Sequence, residues 1–213
     1  MSDDDSTTHE LAAGDIHVVR KKPGLVRRIF GDLIREPDVR GRTYLLLDLS
    51  ASMGDEGKLP QLRDGALRFF AEAWKMGYEV GAIGFSSRIE VLQRATRNFQ
   101  RFHTSLGKVR AHGRTPMSGA IRAATRRLKR ARGDQAILII TDGMPDNPEA
   151  TLDAAREARA QGITLIAVGT DGADEAFLAT LTGIPELARR YERDEFGAGV
   201  GAAGASLPRS ADG

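Results

Sequence analysis

The sequence predicts an α/β fold, a mostly parallel sheet covered by helices on both faces. Three observations carry that expectation. Short apolar runs at 43–49, 135–141 and 163–168 read as strands buried on both faces. Stretches with apolar residues at helical spacing alternate with them. Two of the runs end in an acid, Asp48 and Asp142, followed by hydroxyl or glycine residues, at the edge where open α/β sheets bind ligands.

Residues 1–15 are acidic with few apolar residues and read as disordered. A short strand is expected at 16–19. Val26, Ile29, Phe30 and Leu33 fall at i, i+3, i+4 and i+7, the stripe of a short amphipathic helix that Pro37 ends. Strand 43–49 is followed by a helix over 59–76, with Leu62, Ala66, Phe69, Phe70 and Ala73 inward, Pro60 in its first turn and Gly77 at its end. Strands 79–85 and 88–92 are joined across Ser86-Ser87, a connection short enough to force an antiparallel pair. Phe99, Phe102, Leu106 and Val109 mark a helix. A basic one follows over 116–132, with Met117, Ala120, Ile121, Ala124 and Leu128 inward. After strand 135–141, Asn147-Pro148-Glu149 supplies a cap, a first-turn proline and an early acid for a helix that stops at Gly162. Strand 163–168, helix 174–182 and a last strand at 187–192 complete the pattern. The expected division is an N-terminal extension over 1–42, a domain over 43–193 and a Gly/Ala-rich flexible tail over 194–213.

With 213 residues and no cysteine, the chain can build a substantial core but no disulfide, thiolate metal site or cysteine nucleophile. Its first residues lack the apolar core of a signal peptide, and no apolar run is long enough to span a bilayer; the expected location is cytoplasmic. The net charge of +2 conceals segregation: between 109 and 133 lie eight Arg and Lys and no acid.

Asp48, Ser50 and Ser52 stand at alternating positions where the first strand ends. Taken singly, each is as readily part of a capped turn. Two later stretches change the reading. His112-Gly-Arg-Thr-Pro-Met-Ser118 sets Thr115 in a loop before a helix, and Ile137-Leu-Ile-Ile-Thr-Asp-Gly143 closes a second buried strand with Asp142. Oxygen-only donors suit a hard cation, Mg²⁺ before Zn²⁺.

Asp48-x-Ser50-x-Ser52, the loop Thr115 and the strand-end Asp142 together resemble a von Willebrand factor type A domain with a complete metal-ion-dependent adhesion site (MIDAS), of the prokaryotic intracellular type. One departure is Ala51, where many members have glycine. The resemblance implies a Rossmann-like doubly wound sheet of order 3-2-1-4-5-6, its third strand antiparallel at an edge. It implies Mg²⁺, with Mn²⁺ or Ca²⁺ as substitutes, held by Ser50, Ser52 and Thr115 directly or through water, with Asp48 and Asp142 orienting hydroxyls and waters. A partner's Asp or Glu carboxylate would complete the coordination. Arg114, Arg122 and Arg126 are the candidate partner contacts, and an AAA+ ATPase or a multiprotein assembly is the partner class such members work with. The expectation is binding and no enzyme activity.

Two other functions fit the residues less well. A Mg²⁺-dependent phosphohydrolase of the haloacid-dehalogenase kind needs an acid where Ser50 stands; His9 and His17 lie in the N-terminal extension, and His103 and His112 have no paired acid nearby in sequence to make either an evident base. The run from Gly54 to Lys58 is too short for a phosphate-binding loop, and Leu59 fails its last position. Nucleic-acid binding would use the basic helix 117–132, where Arg122, Arg126 and Lys129 share a face, yet that stretch lacks aromatic residues to stack bases; nucleic acid is not the expected partner.

Overall fold

A computed structural model describes residues 37–55, 57–107 and 109–209. The predicted disordered start, strand 16–19 and helix 26–33 lie outside the described residues. Among those described, β1 (Gly41–Asp48), β2 (Tyr78–Phe85), β3 (Ile89–Thr96), β4 (Asp134–Thr141), β5 (Thr164–Thr170) and β6 (Ala188–Tyr191) form one sheet of order β3-β2-β1-β4-β5-β6. Every neighbouring pair is parallel except β2–β3. The fold class, strand order and single antiparallel edge strand are as expected.

β1 runs through the middle, and its period-2 alternation sorts its side chains between two cores. Leu45 and Leu47 join Leu138, Ile140, Ile166 and Val168 on one face, beneath α1 (Lys58–Lys75), α2 (Phe99–Leu106) and α6 (Phe196–Ala202). Tyr44 and Leu46 join Ile137, Ile139 and Leu165 on the other, beneath α3 (Met117–Leu128), α4 (Pro148–Ala160) and α5 (Glu175–Thr182). Both faces are covered, so the central strands carry no polar alternation and read as unbroken apolar runs.

Differences from the expected bounds have local causes. β3 continues to Thr96, four residues beyond the predicted end, because pairing with β2 satisfies its backbone although Gln93, Arg94 and Thr96 offer no apolar pattern. The packed unit starts before residue 43: Arg40 donates its N–H to Gly77 O (2.9 Å), and its carbonyl accepts from Asp134 N (3.0 Å).

The larger correction concerns the expected flexible tail. Residues 196–202 form α6, a 3-10 turn follows over Ala203–Ser206, and Phe196, Val200 and Leu207 are buried. The small residues serve close approach of α6 to α1. A Cβ on Gly65 would stand 2.6 Å from the carbonyl oxygen of Gly197, and one on Gly199 would meet the Tyr191 ring at 2.4 Å. Tyr78 then anchors the chain beyond, its hydroxyl donating to Pro208 O at 2.7 Å. Burial, with Asp134 close by, pushes the Tyr78 phenol well above its usual range, so it remains a donor. Among the described residues no helix is long and apolar enough to cross a membrane.

Phe196→Ala is expected to destabilise the domain by about 3–5 kcal/mol, the cost of emptying a fully buried aromatic site. Deleting 196–213 should cost at least as much. Urea unfolding followed by circular dichroism checks both; a change under about 0.5 kcal/mol, typical of unpacked surface positions, would contradict the packed helix.

Candidate functional site

β1 and β4 are neighbours, and their carboxyl ends set the site. Leu47 pairs with Ile140, so Asp48 and Thr141 emerge together one residue later. Asp48 is completely buried, yet both its oxygens are used: Oδ1 accepts from Ser50 N (2.9 Å) and Oδ2 from Thr141 Oγ1 (2.6 Å). Burial pushes its carboxyl up to about 6, against the lowering effect of the Thr141 and Ser50 hydrogen bonds, with the nearby Asp142 charge adding to the rise.

The bond from Ser50 N to Asp48 turns the chain into a 3-10 turn over Ala51–Gly54. Among the described non-glycine residues only Asp171 has a positive φ, so Ala51 in place of glycine imposes no strain. The turn brings Ser50 Oγ to 3.1 Å from Ser52 Oγ, and Ser52 Oγ donates to Asp142 Oδ1 at 2.8 Å. Four of the five predicted metal-site residues therefore form one hydrogen-bonded cluster.

Thr115, the fifth, arrives on a loop laid across the end of β1. Ala51 N donates to Gly113 O (3.2 Å) and His112 N to Leu49 O (2.7 Å). Gly113 has φ +80°, and a Cβ there would stand 1.9 Å from Ser87 Oγ, so glycine is required twice over. The Thr115 backbone is fixed by Asp146: its N–H donates to Asp146 Oδ1 (3.2 Å), and its carbonyl accepts from Asp146 N (3.1 Å). The Thr115 hydroxyl makes no hydrogen bond among the described residues and does not contact the serines in that way.

The sequence reading missed Lys58. This first residue of α1 is only 3% exposed, and its Nζ donates to Asp142 Oδ2 (2.6 Å) and to Ser52 O (3.1 Å). It also lies 2.7 Å from Asp171 Oδ2 and 3.4 Å from Asp55 Oδ2. Burial works to lower the ammonium's pKa, but Asp142 and Asp171 outweigh it and leave the group above its usual range. Asp171 follows β5, with φ +47°, and also pairs with Arg193 (2.8 Å). Arg193 and Lys58 together hold its carboxyl below the usual range. The available signal was positional: a lysine in a first helical turn faces the positive end of the helix dipole and calls for acidic neighbours.

The three arginines expected at a partner surface stand differently. Arg122 is paired with Glu157 of α4 (3.1 and 3.2 Å), and Arg114 with Asp146 (3.3 Å). Arg126 is exposed on α3. Two of the three charges thus already have partners within the domain.

No group of three or more His, Cys, Asp or Glu residues arranged for a metal occurs among the described residues. The cluster instead combines hydroxyls with carboxylates held behind them, a donor set for a hard cation.

Thr141→Val should destabilise the protein by about 1–3 kcal/mol, because it leaves the buried Asp48 oxygen without its donor. Equilibrium unfolding in urea provides the measurement, and an unchanged midpoint would remove Thr141 from this role.

The von Willebrand factor type A domain family model matches residues 44–200. Among curated proteins, a UPF0353 protein of Mycobacterium sp. (strain KMS) is 27% identical over 157 residues, which is 64% of this chain and 47% of the relative. The chain thus spans about half the length of the curated relatives it matches. Among solved structures, the vWF domain of the type V pili tip protein Mfa5 from Porphyromonas gingivalis superposes with TM-score 0.72 at 10% identity, over 83% of this chain and 99% of that one. Proximal thread matrix protein 1 of the mussel byssus, in a structure with a zinc-occupied MIDAS motif, gives 0.68 at 15% identity, over 79% of this chain and 48% of that one. At these identities the likeness is one of fold.

Proposed function

Since the chain belongs to the von Willebrand factor type A domain family, we propose that the cluster at the ends of β1 and β4 holds a divalent cation through which the domain docks an acidic side chain of a protein partner. The observation that carries this reading is the hydroxyl pair. Ser50 Oγ and Ser52 Oγ lie 3.1 Å apart, and adjacent ligands of an octahedral Mg²⁺ at about 2.0–2.1 Å from the ion stand about 2.9 Å apart. The Thr115 hydroxyl, without a hydrogen bond among the described residues, is a third donor at the same end of the sheet. Asp48 and Asp142 orient from behind, Asp48 through the Ser50 backbone and Asp142 through the Ser52 hydroxyl. Three neutral hydroxyls leave a bound cation short of negative charge, and a partner's carboxylate supplies it. Mg²⁺ is the proposed ion, with Mn²⁺ or Ca²⁺ able to replace it; the related fold of the mussel protein carries zinc in its MIDAS motif.

Binding fits these residues better than turnover. A phosphohydrolase would need Asp48 as nucleophile, but that carboxylate is fully buried with both oxygens engaged. His112 directs Nε2 to Ser86 Oγ at 3.3 Å instead of into the cluster. Nucleic-acid binding through α3 loses Arg122 to Glu157. The proposed setting is a cytoplasmic assembly, with an AAA+ ATPase as the partner class suggested by the family resemblance.

Calorimetric titration with Mg²⁺ and Mn²⁺ tests the reading. Thr115→Ala should weaken metal binding at least tenfold while the melting curve in EDTA matches wild type. Equal affinities would take Thr115 out of the site. EDTA should leave wild type folded, with saturating metal adding about 2.7 kcal/mol at a hundredfold excess over Kd; unfolding on chelation would make the metal structural and overturn the docking account.

A further inference from the structure

Lys58 is a cation already built into the cluster, and the proposed metal chemistry assigns it no part. Among the described residues four oxygens surround its ammonium: Asp142 Oδ2 at 2.6 Å, Asp171 Oδ2 at 2.7 Å, Ser52 O at 3.1 Å and Asp55 Oδ2 at 3.4 Å. A lysine is poorly suited to this place in other respects. It is nearly completely buried and begins a helix, where the backbone dipoles repel positive charge. The acids around it are what hold it there.

Asp142 is the shared element. Its Oδ1 accepts from Ser52 Oγ, a proposed metal ligand, while Oδ2 accepts from Lys58. A divalent ion seated on the serine hydroxyls would draw on the same carboxylate and would lie a few ångströms from a like charge with little water between them. Repulsion of that kind in a partly dry site is large enough to change affinity by an order of magnitude or more.

We propose that Lys58 is a tethered counter-ion which holds the site assembled without metal and sets a low affinity for the divalent ion by competing for Asp142. The inference rests on the metal-site reading above and adds a residue and a direction to it. Removing the ammonium makes the metal-free protein less stable, because Asp142 and Asp171 lose their buried partner, and makes the metal bind more tightly. A merely structural ion pair would show the first effect alone.

The full chain is titrated with Mg²⁺ and with Mn²⁺ by calorimetry, as wild type and as Lys58→Met, and each is melted in EDTA and in saturating metal. Lys58→Met is expected to bind metal at least tenfold more tightly, to melt at a lower temperature in EDTA and to recover most of that loss with metal. Lys75→Met, which removes an exposed lysine at the far end of α1, should bind as wild type does. Should Lys58→Met fail to fold in EDTA, Lys58→Met/Asp171→Asn removes one of the two acids that lose the ammonium, leaving the Asp142 carboxylate in place, and should show the same tightening. If wild type binds metal and the lysine variants bind no tighter, Lys58 is an ordinary ion pair and the inference falls while the metal site stands. Absence of binding in all variants would overturn the metal site together with this role.

Discussion

The Asp48 carboxylate ties the ends of the two central strands together, and the rest of the site depends on that tie. One oxygen accepts from the Thr141 hydroxyl on β4, the other from the Ser50 amide in the turn after β1. An ionised carboxylate with no exposure is costly to bury, and its raised pKa records that cost. Two good hydrogen bonds offset part of it. They also fix where Ser50 and Ser52 point, so the buried acid sets the geometry of hydroxyls that it does not itself place at the surface.

A second layer of electrostatics surrounds that tie. Asp142, Lys58, Asp171 and Arg193 form a run of alternating charge from the end of β4, through the start of α1 and the end of β5, to the segment after β6. The Lys58–Asp142 pair in this run is buried; such a pair does not add much stability over an apolar core, but removing one member strands the other. The arrangement therefore constrains which residues can change singly. It also places a fixed positive charge beside Asp142 and the Ser52 carbonyl.

Packing of α6 against α1 follows a different constraint. α6 approaches α1 closely enough that backbone at Gly197 would collide with a single added carbon at Gly65. The glycines and alanines there shorten the distance between helices and let Phe196 and Val200 reach the core. Glycine's entropic cost in a helix is met by burial of those larger side chains.

What the sequence determined by itself was the run of elements from β1 to β6, because period-2 and period-3.6 patterns are local and the two-sided burial of β1, β4 and β5 leaves unbroken apolar runs. It also determined the candidate residues Asp48, Ser50, Ser52, Thr115 and Asp142, since strand ends and loop residues mark themselves by chemistry and order. Tertiary structure alone decided the rest. Lys58 takes its role from Asp142 and Asp171, acids more than eighty positions away; its place in a first helical turn calls for acidic neighbours, but its own stretch of sequence does not say which. Arg122 looked free on a basic helix until α4 brought Glu157 against it. The Gly/Ala-rich end looked mobile because small residues are equally the composition of a flexible linker and of a tight helix contact. The burial of Phe196, Val200 and Leu207, and the close approach of Gly197 to Gly65 on α1, distinguish the two.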